Sequence, residues 1–244
     1  LRAFFLDLIF PIECLRCGKD GVWLCAGCFS RIEFRDVQHC LACKKESALG
    51  RFCRTCRSDY SLRGVLVAGN YEDELLSKAV KSLKYKFVRQ LSKDLGRFLA
   101  VFFRDILKIP GHQNITIQSL AGSGHSNFKN ALIIPVPLHP RRERWRGFNQ
   151  AELIARCFSD YFNLEISVGK LVRIKHRKPQ TKLNKKDRKN NIKNCFAWRA
   201  GGLSGRNIIL VDDVATTGST LNECARVLKE NGAGEVWGLV AANG

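Results

Sequence analysis

Asn207-Ile208-Ile209-Leu210-Val211-Asp212-Asp213-Val214-Ala215-Thr216-Thr217-Gly218-Ser219-Thr220 is the stretch that decides the reading of this chain. An apolar run of strand length stops at two carboxylates, passes through a hydroxyl-rich loop with one glycine, and continues over 221–230 with apolar residues at helical spacing. The order is strand, acids, anion loop, helix.

In an open parallel sheet, ligands bind at the carboxyl ends of strands, which places Asp212 and Asp213 at the rim of a small-molecule crevice. Ala215, Thr216, Thr217, Gly218, Ser219 and Thr220 supply successive backbone N–H groups, hydroxyls and a close-approach glycine ahead of a helix N-terminus. Such a loop is a phosphate cradle. Carboxylates beside a phosphate would repel it, so the acids are assigned to sugar hydroxyls, and a ribose 5-phosphate fits both halves. Helix capping alone would need neither two adjacent acids nor the whole loop.

The segment from Ile209 to Leu221 resembles the phosphoribosyl-pyrophosphate (PRPP) binding motif of type I phosphoribosyltransferases, which ends a strand with two acids and goes on with Thr-Thr-Gly. The resemblance implies an α/β fold of that type, a parallel sheet flanked by helices.

The 244 residues, 45% of them hydrophobic, allow one large domain or a small one plus a medium one. Lys and Arg number 41 against 22 acids, a net charge of +19 that exceeds what solubility needs and points to an anionic partner. Nucleic acid and phosphorylated small molecules both qualify. The apolar segment from Leu1 to Phe10 is short, contains Asp7 and runs into Pro11, so a short helix packed on its own protein is expected rather than an export signal or membrane anchor.

Most of the cysteines are regularly spaced. Cys14/Cys17, Cys25/Cys28, Cys40/Cys43 and Cys53/Cys56 form four C-x2-C pairs, enough thiolates for two tetrahedral four-cysteine zinc sites. Cys14 to Cys28 and Cys40 to Cys56 look like an internal repeat, which favours pairing within each half and leaves crossed pairing open. Disulfides and an iron–sulfur cluster are the alternatives; a reducing compartment favours metal over disulfides. The segment has too few apolar residues to fold alone, so metal binding is expected to drive its folding. A double zinc ribbon with its preceding helix is expected over 1–60, and the transferase-like domain over 61–244. Cys157, Cys195 and Cys224 have no partner spacing and are read as packing residues.

From Leu62 the pattern is α/β. A strand is expected near Val65 to Ala68, then a helix with Tyr71, Leu75, Leu76, Ala79, Val80 and Leu83 on one face, then a second over 91–107. Lys78, Lys81, Lys84 and Lys86 are placed on the first helix's exposed side. A polar loop is expected over 109–130. The run from Ala131 to Ile134 reads as a buried strand that ends near Pro135 or Pro137, followed by a loop holding Arg141, Arg142, Arg144 and Arg146 beside Gly147. Arginines there could grip a pyrophosphate, or stack with Trp145 and Phe148 on the bases of a single strand. After a helix over 150–161 and a strand near 171–174, the stretch 173–193 carries ten basic residues, among them Arg177, Lys178 and Arg188, against the single acid Asp187. It is read as a lid over PRPP or a nucleic-acid arm.

Pro137-Leu138-His139, the run Arg146-Gly147-Phe148-Asn149-Gln150, then Gln180, Leu183, Arg188, Asn191 and Phe196, and the paired acids behind a cysteine module together resemble the ComF/GntX family. That family consists of phosphoribosyltransferase-like proteins associated with natural competence. The residues themselves add the expectation of Mg2+ accompanying PRPP and of Arg144, Arg146, Arg177, Lys178 and Arg188 on its pyrophosphate. The resemblance implies Asp212 and Asp213 on ribose hydroxyls and Ala215 to Thr220 around the 5-phosphate. It further implies a cytoplasmic role in uptake of transforming DNA, with single-stranded DNA and competence-machinery proteins as partners. Two other readings fit the same residues: a non-catalytic nucleic-acid-binding or docking protein on a transferase scaffold, and a nucleotide-salvage phosphoribosyltransferase.

Overall fold

A computed structural model describes residues 11–106, 131–175 and 192–244. The expected helix at 1–10, the loop at 109–130 and the basic residues Arg177, Lys178 and Arg188 lie outside the described residues.

In chain order the elements are α1 (Ala26–Phe29), β1 (Gly64–Asn70), α2 (Glu74–Tyr85), α3 (Leu91–Ile106), β2 (Leu132–Pro135), α4 (Pro140–Arg146), α5 (Gln150–Phe162), β3 (Leu171–Arg173), β4 (Phe196–Trp198), β5 (Ile208–Ala215), α6 (Ser219–Glu230) and β6 (Val236–Asn243). Four strands make one parallel sheet in the order β1-β6-β5-β2, and β3 pairs antiparallel with β4. Strand alternation feeds two apolar layers. Ile209, Val211, Leu239 and Ala241 join the buried side chains of α2, α3 and α5, whereas Ile208, Leu210 and Val240 join Leu221, Cys224 and Leu228 of α6. The expected parallel sheet flanked by helices is therefore present, with all the C-terminal strand ends on one side.

Local chemistry sets the helix ends. Asp73 caps α2 by accepting from the Leu76 N–H at 2.7 Å, and the face carrying Leu75, Leu76, Ala79, Val80 and Leu83 is buried, in keeping with its spacing. Gly96 of α3 lets α5 approach closely: a Cβ there would meet Cys157 Cβ at 2.4 Å.

The short elements α1 and β4 have no counterpart in the sequence reading, and three further elements differ from it. The arginine segment after Pro137 is the helix α4 rather than a loop. Pro140 occupies its first turn, His139 Nδ1 accepts from the Arg141 N–H at 3.1 Å, and Gly147 ends it in the left-handed region at φ 77°. Strand β5 continues through the acids to Ala215 because β6 stays in register with it, Asp212 opposite Val240 and Ala215 opposite Asn243. Strand β6 is absent from the sequence reading, although it lies second in the sheet.

The cysteine-rich segment covers the open edge of β1. The Gln38 side chain, 5% exposed, acts as a one-residue strand: its Nε2 donates to Val67 O and its Oε1 accepts from Val67 N, both at 3.0 Å. The Arg35 N–H adds a bond to Ala68 O at 2.8 Å. Val67 N, Val67 O and Ala68 O are thereby bonded without a further strand. Phe34 stacks on Phe98 of α3 with ring centroids 4.8 Å apart, joining the segment to the main core.

Candidate ribose-phosphate site and metal centres

The two acids leave β5 in different environments. Asp213 is 2% exposed, and its Oδ2 lies 2.8 Å from Nζ of Lys84, near the end of α2. Its Oδ1 accepts from the Val214 N–H at 2.8 Å. Asp212 is half-buried and accepts from the Asp213 N–H at 2.8 Å. Burial, then the charge of Asp213, pushes the Asp212 carboxyl well above the usual carboxylate range. For Lys84, burial pulls the ammonium down, but Asp213 outweighs it and holds Lys84 above the ordinary lysine value. Helical spacing alone places Lys84 on the exposed side. It sits beside Leu83 at the border of the buried stripe, and only the approach of β5 decides which way it turns.

Two arginines accompany the acids. Arg146, 9% exposed, donates through Nη1 to Gln150 Oε1, and its buried Nε has no partner among the described residues. Burial holds it below the ordinary guanidinium value, opposed by the charge of Asp213. Arg173 of β3, which the sequence reading does not single out as a site residue, has a buried Nε with no partner among the described residues and lies within the field of Asp212 and Arg142. Arg144 is exposed on α4. Orphaned guanidinium N–H groups beside carboxylates are chemically fitted to an anionic ligand.

The loop after β5 has the features of an anion cradle. Gly218 precedes α6 in the left-handed region at φ 70° and, as its N-cap, has no side chain to offer, while Thr217 Oγ1 accepts from the Ser219 N–H at 3.4 Å. Thr217 Oγ1 and Ser219 Oγ lie 2.8 Å apart, and Thr216 is exposed. The first-turn N–H groups, the hydroxyls and the helix dipole together suit a phosphate. From the end of β6, Asn243 Nδ2 donates to Ala215 O at 3.1 Å and Thr216 O at 3.4 Å, which braces the entry to the loop.

The eight cysteines of the C-x2-C pairs form two groups, Cys14/Cys17/Cys25/Cys28 and Cys40/Cys43/Cys53/Cys56, with the sulfurs of each group within 4.8 Å of one another. Pairing is sequential, so crossed pairing is ruled out. The donor set fits a metal: Cys17 and Cys25 sulfurs are 3.6 Å apart and Cys43 and Cys53 sulfurs 3.7 Å, against about 3.8 Å between thiolates around a tetrahedral zinc. Thr55, then Cys56, draws Cys53 down to about 6, while Cys53 pushes Cys56 up to about 12. Four thiolates at such spacing need a cation between them. Either group could hold a structural zinc.

The second group touches the anion loop. A Cβ at Gly218 would meet Leu41 Cδ2 at 2.6 Å, and Leu41 belongs to the turn between Cys40 and Cys43. Lys44 Nζ donates to Asn243 Oδ1 at 3.4 Å, and Asn222 of α6 accepts from the Ser61 N–H at 2.7 Å. Cys195 and Cys224 are fully buried and Cys157 is half-buried, as packing residues should be.

Comparison with known proteins adds sequence relationships. Residues 146–242 match the phosphoribosyl transferase domain family. The chain is 32% identical over 245 residues to competence protein F of Haemophilus influenzae, covering 96% of this chain and 98% of that protein. It is 30% identical over 240 residues to competence protein ComFC of Bacillus subtilis, covering 92% and 91% respectively. The DNA utilization protein YhgH of Escherichia coli K12 is 38% identical over 109 residues, 44% of this chain and 48% of that protein. Among the described residues no helix is long and apolar enough to cross a membrane.

Proposed function

The chain belongs to the competence protein F and ComFC family, and on that premise we propose that it binds PRPP or a related ribose 5-phosphate at the β5–α6 site and single-stranded DNA beside it. The setting we assign is the cytoplasm during DNA uptake, with other proteins of the competence machinery as partners. One observation carries the ligand: Asp212 and Asp213 are followed within one loop by the N-terminus of α6, whose N-cap Gly218 has no side chain, inside the segment that matches the transferase domain. The names of its relatives, competence and DNA utilization proteins, support the DNA setting.

In this reading, Thr216, Thr217, Ser219, Thr220 and the N–H groups around Gly218 hold the 5-phosphate, and Asp212, with Asp213 behind it, accepts from ribose hydroxyls. Arg146 and Arg173 turn their orphaned N–H groups toward the pyrophosphate, with Arg144, Arg177, Lys178 and Arg188 completing the positive charge. Mg2+ accompanying PRPP would be held mostly by substrate oxygens and water and would supply positive charge at the pyrophosphate. The transfer breaks the bond between the anomeric carbon and pyrophosphate and forms one from that carbon to an acceptor. Zinc in the two cysteine groups is structural. Residues 61–244 act as the transferase-like unit and 1–60 as its zinc module.

Calorimetric titration of the zinc-loaded protein with PRPP, with and without Mg2+, tests the ligand. Asp212→Asn should lose Mg2+-dependent binding while the protein stays folded. Unchanged affinity in that variant would remove the assignment. Absence of PRPP binding in the wild type would favour a transferase fold kept as a scaffold.

A further inference from the structure

Two helix ends meet beside the acids, and each divides its side chains in the same way. At the end of α2, Lys84 turns in to Asp213 while the next residue, Tyr85, is 62% exposed. At the end of α4, Arg146 is buried within the field of Asp213 while the preceding residue, Trp145, is 64% exposed. Phe87, 41% exposed, packs edge-to-face on Trp145 with ring centroids 5.1 Å apart. Arg89 joins the two segments: Nη2 donates to Gly147 O at 2.6 Å, and the guanidinium lies over Phe148 at 4.9 Å. The result is a fixed aromatic ledge at the site's margin.

Single exposed aromatics are ordinary, but these are grouped. Among the described residues, three of the seven exposed large hydrophobic side chains are Tyr85, Phe87 and Trp145. Phe87 has φ 58°, a left-handed conformation that a bulky residue keeps only where its surroundings impose it. Around the ledge Lys86, Arg89, Arg141, Arg142 and Arg144 are exposed, and Glu143 is the only acid in α4. Ring faces open to water between cations that make no ion pair among the described residues suit stacked bases on a phosphate chain. A neutral protein partner would leave those charges uncompensated.

We infer that single-stranded DNA docks on this ledge, its bases on Trp145 and Phe87 and its phosphates on Lys86, Arg141 and Arg144, so that the strand passes the mouth of the ribose-phosphate site. The inference rests on the DNA-binding part of the proposed function and adds the surface that carries it.

Fluorescence anisotropy of a labelled oligothymidine with the full zinc-loaded chain provides the test. Trp145→Ala combined with Phe87→Asn, an asparagine being tolerant of the left-handed conformation, should weaken binding roughly ten- to hundred-fold at fixed salt. The slope of log affinity against log salt should stay as in the wild type. Arg141→Ala with Arg144→Ala should instead flatten that slope by about 0.7 for each phosphate left without its arginine. PRPP affinity and the melting temperature of Trp145→Ala alone should match the wild type. Equal oligothymidine binding by the wild type and the aromatic variant overturns the ledge and leaves DNA binding elsewhere on the chain. A wild type that binds no oligothymidine overturns both the DNA reading and the ledge, while PRPP titration reports separately on the pocket. Binding to anionic vesicles, but not to the oligonucleotide, that disappears in the same variant would reassign the patch to a membrane surface.

Discussion

Lys84 Nζ lies 2.8 Å from Asp213 Oδ2, so a buried carboxylate of β5 is neutralised by an ammonium from α2. The pair ties the acid motif to a helix more than a hundred residues earlier in the chain. With side chains 19% and 3% exposed, neither partner is well placed to exchange the other for water.

Removing the ammonium leaves an uncompensated charge in the sheet. Lys84→Met is expected to destabilise the fold by about 3 kcal/mol, the scale for breaking a buried ion pair. Urea denaturation of the zinc-loaded protein measures it. A difference near zero would mean that water or another cation replaces Lys84. Because the folded-state value of Lys84 is raised, its stabilisation is complete below the ordinary lysine value and is lost as pH rises through the raised one. This ammonium's own share of the gap between wild type and variant should therefore be constant through neutral pH and be lost in alkali.

Gly218 combines φ 70° with a close neighbour, Leu41 Cδ2 at 2.6 Å from where a Cβ would stand. Gly218→Ala should cost about 1–2 kcal/mol in backbone strain, with the clash against Leu41 added to it, and weaken PRPP binding. Leu41→Ala opens space but creates a cavity, costing about 2–3 kcal/mol. The double variant should be less destabilised than the sum, since the clash is gone and only the strain and cavity remain. Strict additivity in thermal denaturation would show that Leu41 and Gly218 do not constrain each other.

The two cysteine groups should contribute unequally to ligand binding. Cys43→Ser and Cys17→Ser are each expected to remove one zinc per chain by metal analysis. Only Cys43→Ser should also lower PRPP affinity substantially, because Leu41 and Lys44 of its turn reach Gly218 and Asn243. Equal reductions in affinity would point to general unfolding rather than to this junction.

Gln38 closes the β1 edge with two hydrogen bonds to Val67. Gln38→Leu leaves the Val67 N–H and C=O buried without partners, at a cost of about 2–4 kcal/mol. Size-exclusion chromatography alongside denaturation should show added self-association, since an uncovered edge can pair with another chain. A monomeric variant of unchanged stability would mean that another group covers the edge.

The sequence by itself determined what depends on near neighbours in the chain. Apolar spacing marked α2, α3 and α5, the four C-x2-C pairs marked the metal groups, and the order of strand, acids, hydroxyls and helix marked the ribose-phosphate motif. Those signals are local because a helical face, a two-cysteine turn and a strand–loop–helix junction are each built within a few residues. The arginine segment was legible as charge but not as α4, since its cap at His139 and stop at Gly147 outweigh an otherwise loop-like run.

Tertiary structure alone decided the rest. Which cysteine turns share a site follows from how the two halves of the repeat fold back on themselves. Whether Lys84 faces water or Asp213 follows from where β5 lies against α2. Whether Leu41 meets Gly218, and Trp145 meets Phe87, follows from the packing of segments distant in sequence. Each of these approaches depends on the final positions of several elements at once, and no periodicity within any one of them encodes its neighbour across the fold.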